Sequence, residues 1–164
     1  MVQKIRENIS IRRFSQIHVK ENSPAKLSQY VHNGRIGVLV EYEGADDVGK
    51  DVAMHISFSR PAYLAKSEIP ADVVARERDI LSARARESGK PAAIVAKMVD
   101  GGLNKFLAEA TLLGQAFIKD DKQSVEKMLA AKKSKVLGFR FLVVGEGIEK
   151  VKTDFAAEVA AMAR

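Results

Sequence analysis

Three histidines are the side chains of this chain best suited to acid–base or metal chemistry, and they are widely separated. His18 lies at the end of a predicted strand, His32 beside a predicted turn and His55 on a predicted helix. No cysteine is present, which excludes thiolate ligands and thiol catalysis. An isolated histidine in a small domain is more often structural than catalytic. Only His32, next to an exposed turn, is a candidate for a binding surface.

Motifs for covalent chemistry are also missing from the sequence. It contains neither a G-x-S-x-G nucleophile elbow nor a G-x-x-x-x-G-K-[ST] phosphate loop. Gly145-Glu146-Gly147 lacks the rest of a dinucleotide fingerprint. We therefore expect a protein that is not an enzyme and that has no cofactor and no bound metal.

The C-terminal residues 145–164 predict one short amphipathic helix. Thr153 is suited to cap it, and Phe155, Val159 and Met162 follow at i, i+4 and i+7 on one face. A helix of about 11 residues is marginal by itself in water, because nucleation is costly. The helix therefore docks either on its own domain or on a partner, and the pattern leaves both open.

Composition is typical of a globular protein. The chain has 164 residues, of which 46% are hydrophobic, and a formal net charge of +6. Its apolar runs are too short to span a membrane, and no signal peptide is recognisable, so we expect a soluble cytoplasmic protein. RNA binding is an alternative suggested by the charge. Nucleic acid binding is not favoured, because the basic residues are dispersed and only 6% of residues are aromatic.

The hydrophobic pattern predicts an α+β fold with a small, mostly antiparallel sheet and helices on one face. Residues 8–14 alternate like a strand, and two strand-like runs flank Asn33-Gly34, a strong β-hairpin signal. Leu39 lies opposite the apolar face of its run, so this strand is expected to be buried on both sides. Residues 44–59 have a helical period that Pro61 ends, and residues 136–144 form the last strand.

A segment with a different pattern interrupts this domain. Pro70 opens a helix over residues 71–88, and Gly89-Lys90-Pro91 separates it from a second helix over residues 92–113. Each helix has a narrow apolar stripe, which predicts an antiparallel helical hairpin that projects from the domain. Such a hairpin is a possible site of self-association. Gly101-Gly102 in the second helix permits either a close helix crossing or a local bend.

These patterns divide the chain into four segments. Residues 1–66 are the first part of a core subdomain, residues 67–114 the helical-hairpin insertion, residues 115–148 the second part of the core with its final strand, and residues 149–164 a C-terminal helical module. Within the second part of the core, residues 115–121 are predicted as a connector and residues 123–131 as a short helix.

Six runs of sequence, in order along the chain, resemble bacterial elongation factor Ts. They are ENISIRRF (7–14), YVHNGRIGVLVEY (30–42), KDVAMHIS (50–57), GKPAAIVAKMVDG (89–101), LLGQAF (112–117) and VGEGIEKVKTDFAAEVAAM (144–162). The resemblance implies the C-terminal part of that family. The sheet with its helices is then the core's C-terminal subdomain, the helical hairpin its coiled-coil insertion, and the last helix its C-terminal module.

The resemblance also implies a function, because the family is a guanine nucleotide exchange factor of translation elongation. Its members bind the GTPase elongation factor Tu and promote release of GDP so that GTP can bind, without covalent chemistry. The implied contacts are the β-hairpin tip on domain 3 of the GTPase and the terminal helix on its GTP-binding domain. The residues concerned are His32, Asn33, Gly34, Arg35, Phe155, Val159 and Met162.

The sequence departs from the family at its beginning. Family members start with a small helical domain and a first core subdomain, whose T-D-F-V motif disturbs the Mg²⁺ site of the GTPase. The 164 residues begin close to the ENISIRRF run, so we expect both parts to be lacking and nucleotide exchange to be weak. Thr153-Asp154-Phe155 matches the family's C-terminal module, so the Mg²⁺ role is not assigned to it.

Overall fold

The computed structural model describes residues 11–147, which form an α+β fold, as predicted. In chain order, the elements are β1 (Lys26–His32), β2 (Ile36–Glu43), α1 (Asp46–Ser59), α2 (Ala71–Glu87), α3 (Ala92–Ala110), β3 (Ala116–Phe117), β4 (Asp120–Ser124), α4 (Val125–Ala131) and β5 (Lys135–Val143). A 3-10 turn, Lys66–Glu68, precedes α2. No helix within residues 11–147 is both long and apolar enough to cross a membrane.

Strands β1, β2 and β5 form an antiparallel sheet with β2 in the centre. The turn between β1 and β2 has positive φ angles at Asn33 (50°) and Gly34 (66°), which confirms the predicted hairpin. Asparagine and glycine adopt this left-handed region at low cost, so the chain reverses at this point. The β2–β5 pairing joins parts of the sequence that lie on either side of α2 and α3.

Helix α1 covers one face of the sheet. Val38 and Val40 alternate inward along β2 and are buried, as the period-two pattern predicts. Val48, Val52 and Ile56 of α1 are fully buried and belong to the same cluster. The chain after α3 completes this core with Leu112, Phe117, Val125, Met128, Leu129 and Val136.

The opposite face of the sheet is largely exposed. Leu27 and Val31 of β1 are exposed, and Leu39 of β2 is only half-buried. The expectation that β2 is buried on both sides is therefore wrong for the part of the chain that the structure describes. The alternating pattern could not reveal this, because an apolar leucine on the second face does not show that another part of the protein covers that face.

Helices α2 and α3 contact each other and are joined by residues 88–91. Pro70 and Pro91 precede them as N-cap residues, where the missing proline N–H breaks no helical hydrogen bond. Leu81 of α2 lies over Gly102 of α3, where an added Cβ would be 2.9 Å from Leu81 Cδ2. Gly102 therefore serves the close crossing, whereas Gly101 faces open space. Projection of this helix pair from the sheet stays a prediction.

Helix α3 ends at Ala110, before the predicted end at residue 113. Thr111 is extended and fully buried, and its hydroxyl donates to Leu107 O at 2.8 Å. The Leu112 N–H then donates to Tyr63 O at 2.8 Å, which ties the chain after α3 to the chain before α2. Leu113 continues the apolar spacing of α3, seven residues after Phe106, but it lies beyond the helix and packs against the core around α1.

The predicted connector over residues 115–121 is partly wrong. It contains β3 and the start of β4, an antiparallel pair whose register is irregular. A strand of two residues has no periodicity that a sequence pattern could detect. Helix α4 starts at Val125, because the Ser124 hydroxyl caps it by accepting the Lys127 N–H at 3.3 Å.

The predicted strand over residues 8–14 is wrong for its described part. Residues 11–14 are irregular, and Ile11 and Phe14 are exposed. Residues 8–10 lie outside the described residues. Arg13 binds next to the end of β5, donating to Val143 O at 3.3 Å and pairing with Glu146 at 2.9 Å. An alternation of apolar and polar residues this short does not determine which strand the segment would pair with.

Candidate functional site

The turn between β1 and β2 presents the predicted hairpin-tip residues to solvent. His32, Asn33, Gly34 and Arg35 are all exposed. The Arg35 N–H donates to His32 O at 3.0 Å, which closes the turn, and Arg35 O accepts the Val144 N–H at 2.8 Å. The tip is therefore held by hydrogen bonds at both ends while its side chains remain accessible.

His32 is oriented by its neighbours. Its Nδ1 lies 3.2 Å from the Tyr30 hydroxyl, and its Nε2 lies 3.2 Å from Asn33 Nδ2. The ring with its proton on Nδ1 satisfies both contacts, because Nδ1 then donates to Tyr30 and Nε2 accepts from Asn33. The rings of Tyr30 and His32 also stack, with centroids 6.1 Å apart. The imidazole is thus preordered at the tip.

A groove of about 490 Å³ lies beside the tip, between the β-hairpin, the end of α1 and the turn between β3 and β4. We call it the tip groove. Phe58 is 75% exposed and Ile118 is 39% exposed in it. Large apolar side chains around a concave surface are typical of protein-binding sites. The residues that line the groove are Tyr30, His32, Ile36, Met54, Ser57, Phe58, Arg60 and Ile118.

Arg60 adds a positive charge to the tip groove. It ends α1 in the left-handed conformation, with φ of 46°, and its N–H donates to Ile56 O at 2.9 Å. Pro61 follows and prevents the helix from continuing. The guanidinium carbon lies 5.9 Å from the centre of the Phe141 ring, a cation–π arrangement that positions the charge.

A buried histidine contacts the segment that carries Ile118. The Nδ1 of His55 accepts the Ile118 N–H at 3.2 Å, and its Nε2 lies 3.0 Å from Gln115 Oε1. Both hydrogen bonds form only if the ring is neutral and the proton is on Nε2. Burial lowers the pKa of His55, and the Gln115 hydrogen bond opposes this in part. The surroundings of His55 therefore favour the neutral ring.

The acidic pair at the start of α1 has a structural role. Asp46 pairs with Lys26 at 2.5 Å, and Asp47 pairs with Lys132. The hydrogen bond that Lys132 donates to Asp47 lowers the pKa of Asp47, and the one that Lys26 donates to Asp46 raises the pKa of Lys26. Both carboxylates also lie in the first helical turn, where the helix dipole favours negative charge. Within residues 11–147, no group of three or more potential metal ligands occurs.

The structure brings only part of the predicted site together. His32 lies in the tip groove, and Asn33, Gly34 and Arg35 lie next to it on the turn. The other predicted contact residues lie outside the described residues, and their role stays a prediction; they are Phe155, Val159 and Met162.

The apolar part of the tip groove is absent from the residues that the sequence pattern predicts for the site. Phe58 lies one helical turn after Met54 and off the buried line of α1, and this pair on the exposed side was a usable signal. Ile118 has no comparable signal, because its place depends on the short turn between β3 and β4. The sequence shows His55 as an isolated histidine and has no signal for its hydrogen-bond partner Ile118.

A second set of exposed apolar side chains lies on the helix pair. Ile80 of α2, and Ile94 and Met98 of α3, are exposed. Ile94 and Met98 are one helical turn apart, so they share one side of α3. Gly101 follows at the next turn with open space around it. Ile94 and Met98 therefore form a small exposed apolar patch on α3, next to the open space at Gly101.

Comparison with known proteins identifies one family. The family model described as Elongation factor TS matches residues 1–146. Elongation factor Ts of Paraburkholderia phymatum is 56% identical over 98% of this chain and 54% of its own length. The proteins of the same name from Paraburkholderia phytofirmans and Bordetella petrii are 57% and 55% identical, again over 54% of their lengths. The chain thus spans about half the length of the curated relatives that it matches.

Proposed function

Since this chain belongs to the elongation factor Ts family, we propose that it binds the GTPase elongation factor Tu and takes part in guanine nucleotide exchange during translation elongation. Binding promotes release of GDP, and GTP then enters. Such a role uses binding energy alone, so the protein is a binding factor of the cytoplasmic translation apparatus and not an enzyme in the usual sense.

The exposed tip groove is the observation that carries this proposal. Burial of a phenylalanine side chain is worth about 1.5–3 kcal/mol, and Phe58 leaves most of this unused in the free chain. A partner that covers Phe58 and Ile118 gains this energy. The polar tip, from His32 to Arg35, then forms the rim around an apolar centre, which is the usual anatomy of a protein interface. We propose domain 3 of the GTPase as the occupant.

Nucleotide exchange further requires that the factor and GDP weaken each other's binding to the GTPase. A factor that binds the nucleotide-free GTPase more tightly than the GDP-bound form weakens GDP binding by the same ratio. We propose a second contact to transmit this effect, between Phe155, Val159 and Met162 and the GTP-binding domain. Attachment of the tip groove would raise the effective concentration of that second contact.

We propose a core subdomain of residues 1–66 and 115–148, an insertion of residues 67–114 and a C-terminal module of residues 149–164. Two contacts support the insertion. Strand β5 pairs with β2, and the Leu112 N–H donates to Tyr63 O. Each of these contacts joins the chain before α2 to the chain after α3.

The 164 residues alone are expected to bind elongation factor Tu but to accelerate exchange only weakly. The T-D-F-V segment that the family resemblance links to the Mg²⁺ site is not among them. Stopped-flow release of a fluorescent GDP analogue from elongation factor Tu tests this, with a full-length relative as the control. Acceleration equal to that of the full-length factor would contradict the expectation.

Self-association through the helix pair is a second candidate function. The exposed side chains of Ile80, Ile94 and Met98 favour it, because apolar residues at helical spacing are typical of helix–helix contacts. Sedimentation at several concentrations tests it. We expect the average mass to rise with concentration and the rise to be lost in Ile94→Ser; a constant monomer mass would exclude this function.

A further inference from the structure

We infer that His55 is a positioning residue for the tip groove, because its ring holds the Ile118 segment in the place where the Ile118 side chain lines the groove. This inference rests on the proposed function, since it concerns the same surface. His55 is fully buried and does not line the groove. Any effect of His55 on a partner therefore has to act through the residues that its ring contacts.

Ile118 lies in a short turn beside an irregular strand pair. Strand β3 has two residues, and its pairing with β4 is irregular, so Ile118 and Lys119 form a turn between Phe117 and Asp120. Lys119 is also anchored, by an ion pair with Asp51 at 2.6 Å in which the lysine side chain is half-exposed and the carboxylate is mostly buried. The backbone of Ile118 itself is held by the part-buried hydrogen bond from its N–H to His55.

One imidazole ring links three elements. It belongs to α1, it accepts the backbone N–H of the β3–β4 turn, and it donates to Gln115. Gln115 Nε2 in turn donates to Glu109 O at the end of α3, at 2.7 Å. The Phe117 ring also lies 6.0 Å from the imidazole. The imidazole thus ties the backbone of Ile118 directly to α1.

Two conservative substitutions separate the two hydrogen bonds. In His55→Asn, the amide oxygen occupies about the place of Nδ1 and accepts the Ile118 N–H, while the bond to Gln115 is lost. In His55→Gln, the amide nitrogen occupies about the place of Nε2 and donates to Gln115, while the bond to Ile118 is lost. A positioning role predicts that only the glutamine variant weakens partner binding markedly. A purely structural role predicts similar effects of both.

The free chain provides the first test. Amide hydrogen exchange should show Ile118 protected in the parent chain and in His55→Asn, and exchanging on the order of tenfold faster in His55→Gln. Ring ¹⁵N shifts of the parent chain should show the proton on Nε2. Unchanged protection in His55→Gln, or a proton on Nδ1, would overturn the inference, and both measurements are independent of any partner.

The second test is a double-mutant cycle on the affinity for nucleotide-free elongation factor Tu. His55→Gln should raise Kd about 3- to 10-fold, as the loss of one hydrogen bond would, with His55→Asn closer to the parent. In an Ile118→Ala background, His55→Gln should cause no further loss, because it acts through the missing side chain. If the two losses multiply, the positioning role is wrong while the proposed function stands. If the parent chain does not bind, the proposed function itself is wrong, and the inference is overturned with it.

Discussion

The ring of Tyr42 on β2 occupies the space in which a side chain on Gly49 of α1 would lie. A Cβ built on Gly49 would be 2.5 Å from Tyr42 Cζ and 2.8 Å from Ser28 Cβ. Glycine inside a helix costs about 1 kcal/mol relative to alanine. Here the missing side chain allows α1 to approach the sheet closely. The energy gained by this packing outweighs the low helix propensity of glycine.

Gly49→Ala should therefore destabilise the fold, although helix propensity predicts the opposite. We expect the free energy of unfolding to fall by about 1–3 kcal/mol, because the buried Tyr42 ring has to move. Gly101→Ala is the matched control, since Gly101 faces open space in α3 and should gain about 0.5–1 kcal/mol. Urea denaturation measures both changes, and shifts of the same sign would contradict the packing argument.

Gly102 and Gly101 are neighbours with different surroundings, which makes them a second matched pair. Replacing glycine by valine changes the intrinsic helix propensity equally at both positions, so the difference in stability between Gly102→Val and Gly101→Val reports the contact with Leu81. We expect Gly102→Val to be less stable by about 1–3 kcal/mol. Thermal unfolding followed by circular dichroism measures the difference; equal midpoints would show that the crossing tolerates a side chain.

Stability should fall on mild acidification because of His55. Its pKa is lowered in the folded chain, so below about pH 6.5 the unfolded chain binds more protons than the folded one. The stabilisation is complete above that pH and is lost as the pH falls towards the folded-state pKa. Two charged groups adjoin His55 in the chain fold: Asp51 lies one turn earlier on α1, Lys119 follows Ile118, and the two pair with each other. Urea unfolding at pH 7.5 and 5.5 should show a smaller loss in His55→Asn than in the parent chain, and equal losses would rule out His55 as the cause.

Much of the fold could be predicted, because its signals are local. Asn33-Gly34 specifies the turn through two positive φ angles, Pro70 precedes a helix, and the line of Val48, Val52 and Ile56 defines the buried side of α1. These features depend on a few neighbouring residues, so a pattern detects them.

The tip groove could not be predicted, because it depends on contacts between distant parts of the chain. Ile118 lines the same groove as Phe58 because a two-residue strand and a hydrogen bond to His55 place it there. None of these has a periodic signal. The same reason explains the end of α3 at Ala110, where Thr111 leaves the helical period to join the core next to Tyr63.

The terminal segment provides a separate prediction about the partner. Phe155→Ala should weaken binding to elongation factor Tu by about 1–3 kcal/mol, because an aromatic anchor in an interface typically contributes that much. Isothermal titration with the nucleotide-free GTPase measures the loss. Unchanged affinity together with a lower unfolding temperature would assign Phe155 to the chain's own fold.

The most direct test of the account is the affinity of Phe58→Ala for nucleotide-free elongation factor Tu, measured beside the parent chain and Ile80→Ala. Ile80 is also an exposed apolar residue, but it lies on α2 and not in the tip groove. We predict that the parent chain binds, that Phe58→Ala loses about 1–3 kcal/mol of binding free energy, and that Ile80→Ala loses none. Equal affinities of the parent and Phe58→Ala, or no binding by the parent chain, would contradict the account.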